Sequence, residues 1–88
     1  MIKKKITVIN KYGLHARPCS LIVKIAGSFR SDFNIVKENM EVNGKSIMGV
    51  MMLAAECGSE LELIFNGPDE AEALEQIEKL FLSKFEED

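Results

Sequence analysis

The spacing of hydrophobic residues along this chain switches repeatedly between every second position and every third or fourth, and each switch falls at a turn built from Gly, Pro, Asn or Ser. A period of two belongs to strands and a period near 3.6 to helices, so the switches set the order of elements. Ile2, Ile6 and Val8 alternate with Lys3, Lys5 and Thr7, which predicts a half-buried strand over residues 2–9. Asn10-Lys11-Tyr12-Gly13 is a turn signal, and the segment from Ala16 to Gly27 then reads as a helix. Pro18 falls in its first turn, where a missing N–H costs nothing. Arg17, Ser20 and Lys24 recur at i, i+3 and i+7 as a polar stripe, which leaves Cys19, Leu21, Ile22, Val23, Ile25 and Ala26 for the core. Gly27-Ser28 closes this helix. Phe33-Asn34-Ile35, Lys37-Glu38-Asn39 and Met40-Glu41-Val42 together read as a hairpin.

Asn43-Gly44-Lys45 turns the chain again, and Ser46 follows as the N-cap of a short helix from Ile47 to about Leu53. A helix of that length cannot bury every face, so Val50 and Leu53 are expected inside and Ile47, Met48 and Met51 outside. After Cys57-Gly58-Ser59, Leu61, Leu63 and Phe65 alternate with Glu60, Glu62 and Ile64 as a strand with one wet face. Asn66-Gly67-Pro68 reverses it. Asp69, with Glu72 three residues on, predicts a capping box, and Leu74, Ile77, Leu80 or Phe81, and Phe85 give the apolar face of one long final helix. The order βαββαβα makes an α+β fold, an open-faced β-sandwich in which helices cover one face of a four-stranded sheet. A chain of 88 residues has room for a single domain, spanning 1–88.

Composition narrows the function classes. With 47% hydrophobic and 28% charged residues the chain is neither disordered nor membrane-spanning, and its longest apolar stretch, from Val50 to Ala55, is far too short for a bilayer. The amino terminus has charge but no apolar signal core, so a cytoplasmic protein is expected. A net charge of -3 and a pI near 5.2 argue against nucleic acid as a partner, and Lys3-Lys4-Lys5 reads as a solvated strand end. Cys19 and Cys57 lack any disulfide framework or metal-ligand spacing and are expected to be reduced; no metal or cofactor is called for.

The chemistry concentrates at Gly13-Leu14-His15-Ala16-Arg17-Pro18, where the single histidine of the chain meets the entrance to a helix. A helix N-terminus presents unpaired N–H groups and partial positive charge, and so favours an anion. Neutral imidazole is a nucleophile that needs no separate base near neutral pH, and a phosphoryl group carried on His15 would be such an anion. Arg17 offers forked N–H donors to its oxygens. Contacts of about 1–2 kcal/mol each would hold the group without trapping it. A lone histidine at a helix start is often only an exposed or capping residue, so a second motif has to carry part of the weight.

That motif is Asn43-Gly44-Lys45-Ser46-Ile47-Met48-Gly49-Val50-Met51-Met52-Leu53. With it the chain resembles, over nearly its whole length, the HPr phosphocarriers of the bacterial phosphoenolpyruvate-dependent phosphotransferase system. The resemblance implies an antiparallel four-stranded sheet covered by three helices, in agreement with the order read above. It also implies that His15 is phosphorylated on Nδ1 by phospho-enzyme I and donates to enzyme IIA proteins, that Arg17 assists the transfer, and that the protein is a carrier and not an enzyme. Ser46 resembles the serine modified by an ATP-dependent HPr kinase/phosphorylase, a regulatory mark that would act on partners by adding negative charge. Ser20, Lys24, Lys45, Ile47, Met48 and Met51 are the expected partner-binding residues, the methionines suiting a surface shared by several partners. A monomer is expected, because that surface must stay free, with neither nucleic acid nor membrane as partner. The alternative is a mainly regulatory, nitrogen-type relative that controls binding partners and not sugar uptake, which the Asn43-Gly44 pair and the paired methionines resemble somewhat more. A catabolite-repression paralogue lacking the histidine is excluded by His15 itself.

Overall fold

A computed structural model describes residues 1–86, in the order β1 (Ile2–Thr7), α1 (Ala16–Ala26), β2 (Asp32–Lys37), β3 (Met40–Asn43), α2 (Ile47–Met52), β4 (Glu60–Asn66) and α3 (Glu70–Leu82), with a closing turn over Lys84–Glu86. The expected βαββαβα order is present. The strands form one sheet in the order β1-β4-β2-β3, and every neighbouring pair is antiparallel. Ile6 lies opposite Leu61, Phe33 opposite Phe65, and Ile35 opposite both Leu63 and Val42. The period-two pattern thus puts these side chains on one face of the sheet. The rings of Phe33 and Phe65 stack at 4.6 Å.

Helices cover that face. Cys19, Ile22 and Ala26 of α1, Val50 of α2 with Leu53 just after it, and Ala73, Ile77, Leu80 and Phe81 of α3 meet the sheet residues in one continuous core. Lys4 lies on the same side of the edge strand β1, and its stem runs over the apolar layer to bring its ammonium within 3.5 Å of Glu78. Leu21, Val23 and Ile25 are only half-buried, because the apolar arc of α1 is wider than the groove it fills. Lys3, Lys5, Glu41 and Glu60 occupy the open face of the sheet, exposed as their alternation requires.

The chain departs from its sequence pattern at two places. Asp69 does not form a capping box with Glu72: its side chain makes no cap bond and its carboxylate accepts instead from the Arg30 N–H, the Ser31 N–H and the Ser31 hydroxyl. The Ser31 hydroxyl bond, followed by the Arg30 amide, holds the Asp69 carboxyl down from its ordinary 3.8 to about 2. Glu70 takes the local capping role by accepting from the Gly67 N–H at 3.1 Å. The second departure is Phe85, which does not extend the face of α3. That helix stops at Leu82, and Lys84, Phe85 and Glu86 all take left-handed backbone, with φ of 56°, 56° and 60°. Left-handed backbone costs an L-residue roughly 1–2 kcal/mol. The cost is offset here because the turn drives Phe85 fully into the core, edge-on to Phe81 at 4.9 Å.

Candidate functional site

The approach to His15 is fixed by backbone contacts. The Gly13 N–H donates to the Asn10 carbonyl at 3.1 Å, the buried Asn10 amide donates to the Gly13 carbonyl at 2.7 Å, and the Leu14 N–H donates to the Ala55 carbonyl at 2.8 Å. Gly13 has φ +68°, and a Cβ there would stand 2.8 Å from the Glu56 Cα and strike the Ala55 carbonyl, so both conformation and space require glycine. These bonds press the loop before α1 against the segment that follows α2. Leu14 and Cys19 are buried on either side of His15, the Cys19 thiol donating to the Leu14 carbonyl at 3.3 Å and pushed up in pKa by burial.

His15 is the N-cap residue of α1, with extended backbone (φ -80°, ψ -172°), and its carbonyl accepts from the Cys19 N–H. Its imidazole is exposed and makes no cap hydrogen bond with the helix. It therefore leaves the positive end of the helix available to a group carried on the ring. Tyr12 stands edge-to-face with it at 6.1 Å between ring centroids.

Arg17, Ser20 and Lys24 are all exposed on one stripe of α1, as their spacing predicts. Arg17 is also anchored: one guanidinium nitrogen donates to the Phe85 carbonyl at 2.9 Å, which ties the closing turn to the first turn of α1. The fork has further N–H groups for an anion. Ser46 caps α2 as expected, its Oγ accepting from the Gly49 N–H at 3.1 Å. Ile47, Met48 and Met51 are 44%, 76% and 45% exposed, whereas Val50 and Leu53 are buried, so the predicted division of α2 holds; Met52 adds to the outer face. Lys45 differs in kind from the exposed Lys24, because its ammonium is already engaged by the Phe29 carbonyl beyond α1, at 2.8 Å. Packing of α1 on α2, with the Leu14–Ala55 bond, brings the histidine loop and the end of the methionine helix together.

Two contacts of this site escape sequence reasoning. Tyr12 is read only as part of a turn, although an aromatic residue three positions before a histidine in a tight loop is a signal that the rings can meet. The Arg17–Phe85 bond joins a side chain to a backbone carbonyl across 68 positions, and no residue pattern encodes it. Among the described residues no group of three or more His, Cys, Asp or Glu could hold a metal ion, and no helix is long and apolar enough to cross a membrane.

Comparison with known proteins gives a consistent picture. The PTS-HPr family model, described as the PTS HPr component phosphorylation site, matches residues 2–83. The phosphocarrier protein HPr of Treponema pallidum is 54% identical over 88 residues, covering 100% of both chains. Among solved structures, HPr-C-His from Thermoanaerobacter tengcongensis superposes with a TM-score of 0.96 at 43% identity, covering 100% of this chain and 99% of that one. The Bacillus subtilis catabolite repression protein Crh, solved as a domain-swapped dimer, superposes with a TM-score of 0.76 at 44% identity over 96% of this chain and 97% of its own.

Proposed function

This chain belongs to the PTS-HPr family, phosphocarriers of the phosphotransferase system and not catalytic enzymes, and from that premise we propose that His15 accepts a phosphoryl group from phospho-enzyme I and passes it to enzyme IIA proteins in the cytoplasm. The observation that carries the reading is the exposed imidazole at the N-cap of α1, which leaves the helix terminus uncapped by its own side chain. In the step itself the lone pair of His15 Nδ1 attacks phosphorus. The donor's bond to phosphorus breaks, and its electron pair returns to the donor. The proton on Nε2 stays in place, so no general base is required. The new dianion then lies at the positive end of α1, within the region that the remaining N–H groups of Arg17 can serve. Each such contact strengthens the phosphoryl state only modestly, which keeps the group transferable.

The docking surface of this reading is the exposed stripe Arg17, Ser20 and Lys24 together with Ile47, Met48 and Met51; Lys45 contributes its stem while its ammonium is engaged by the Phe29 carbonyl beyond α1. Flexible thioethers around a charged margin suit partners of different shape. A working monomer keeps this surface open, in contrast to the swapped dimer of Crh, and light scattering at micromolar concentration tests it. Incubation with phosphoenolpyruvate, Mg²⁺ and enzyme I, followed by addition of an enzyme IIA, is expected to move one phosphoryl group onto this chain and then off it. Retention of the group in the presence of several active IIA proteins would contradict the carrier assignment.

The likeness to Crh favours a second, regulatory role at Ser46, which would answer to an HPr kinase/phosphorylase and, in a nitrogen-type setting, govern binding partners in place of sugar uptake. The Ser46 hydroxyl accepts a hydrogen bond and so keeps its own proton. Added phosphate there would repel partners that present carboxylates to Arg17 and Lys24 and attract those with basic patches. Equal labelling of wild type and Ser46→Ala by purified kinase and ATP would end this reading.

A further inference from the structure

The carbonyl end of a helix favours a cation, yet α2 carries no basic residue in its last turn. The cation comes from another element. Lys37, the last residue of β2, is half-buried, and its ammonium donates to the Leu53 carbonyl at 3.1 Å. Leu53 is the C-cap residue of α2, and Ala54 after it takes left-handed backbone, with φ 49°, its N–H donating to the Met51 carbonyl. One residue further on, the Ala55 carbonyl accepts from the Leu14 N–H, beside His15 in the chain. Residues 53–55 thus form a short strap between the methionine helix and the histidine loop, tied by Lys37 at one end and by Leu14 at the other. An alanine in left-handed backbone is disfavoured unless its surroundings hold it there, and a helix of six residues does not persist by itself. Strap and helix therefore take their position from such outside contacts.

Resting on the assignment of His15 as the acceptor and of α2 as the docking face, we infer that Lys37 is a positioning residue: by capping the Leu53 carbonyl it fixes Met48 and Met51 relative to His15, so that a partner seated on the methionines meets the imidazole. Lys37 acts through the strap and not by touching the partner. Without its ammonium the carbonyl of the buried Leu53 loses a charged donor. The strap then samples more than one arrangement, and only part of the population presents methionines and histidine in the register that a partner needs, which weakens apparent affinity by that fraction. The loss falls on docking and not on the phosphoryl step, because the His15 loop and Arg17 keep their own supports from Asn10, Gly13 and Phe85. Changes at residues that touch neither partner nor reacting group alter such coupling by roughly three- to ten-fold.

The test is the steady-state rate of phosphoryl transfer from enzyme I to wild type, Lys37→Met and Lys37→Arg, in buffer where urea curves show every variant folded, alongside amide NMR of the free proteins. Lys37→Met is expected to raise the KM of enzyme I for this chain by roughly three- to ten-fold with little change in kcat, and to shift the amide resonances of Leu53, Ala54 and Leu14. Lys37→Arg, which keeps a cationic donor, is expected to restore both. In a Met48→Ala background the effect of Lys37→Met on KM should shrink, since the two changes act on one surface. An unchanged KM, a loss confined to kcat, a raised KM with those amides unmoved, failure of Lys37→Arg to rescue, or full additivity with Met48→Ala would each overturn the inference while leaving His15 as acceptor. An unchanged KM in Met48→Ala alone would overturn the docking face, and label on His15→Ala the acceptor assignment, each taking the inference with it.

Discussion

Ser46 performs a structural task with the same oxygen that a kinase would modify. Its Oγ accepts from the Gly49 N–H, and α2 has only six residues, too few to persist without help from its ends. Ser46→Ala is therefore expected to destabilise the fold by about 1 kcal/mol, read from the urea midpoint at constant slope. This cap was legible because a serine stands directly before an apolar helical run. Asp69 was not, because its partners Arg30 and Ser31 lie 39 and 38 positions away, and a carboxylate at a helix start looks the same in sequence whichever way it turns. Its lowered pKa has a defined consequence. The ionised form is favoured in the folded state, so its contribution is fully present above pH 3.8 and is lost as pH falls through that value towards 2. Acid titration of stability should find wild type above Asp69→Asn near neutrality, with the gap closing over that window; a constant gap would contradict the account.

At the scale of elements, α1 and the closing turn depend on one another. The left-handed run at Lys84–Glu86 persists because Phe85 fills the core beside Phe81 and its carbonyl holds Arg17. Phe85→Ala is expected to cost about 3–5 kcal/mol and to release Arg17, visible as a lower Tm and a shift of the Arg17 side-chain NMR signal. The spacing of Leu74, Ile77, Phe81 and Phe85 is what a continuous helix would show, so the sequence pattern overran the real end at Leu82. A residue can reach the same buried place by a turn as by another helical step. The same limit applies to Lys37 and Lys45, whose ammonium groups meet the Leu53 and Phe29 carbonyls at 3.1 and 2.8 Å. Those bonds hold the end of α2 and the loop that follows α1, yet a lysine's spacing does not reveal a carbonyl in another element. The outer and inner faces of α2 were readable because they follow from helical period alone.

Across the whole molecule, the sheet order and the site arise from the same packing. Burying one face of β1-β4-β2-β3 under the helices leaves the loop before α1 and the end of α2 in contact, and the exposed His15 stands at that junction. The element order, the open face and the histidine motif were legible because each rests on local pattern. The ring contact with Tyr12 and the anchoring of Arg17 required the folded chain. The two cysteines report on this packing: Cys57 is exposed and Cys19 is buried with its thiol pKa raised. A thiol reagent should modify Cys57 at once and Cys19 only on unfolding. Rapid modification of both in the native state would mean that the core around His15 opens more readily than its hydrogen bonds imply. The central claim, that this protein carries a phosphoryl group on His15, is tested most directly by intact mass after incubation with phosphoenolpyruvate, Mg²⁺ and enzyme I, before and after acid. One acid-labile phosphoryl group on wild type and none on His15→Ala is the predicted result; an acid-stable group, or equal labelling of the variant, would contradict it.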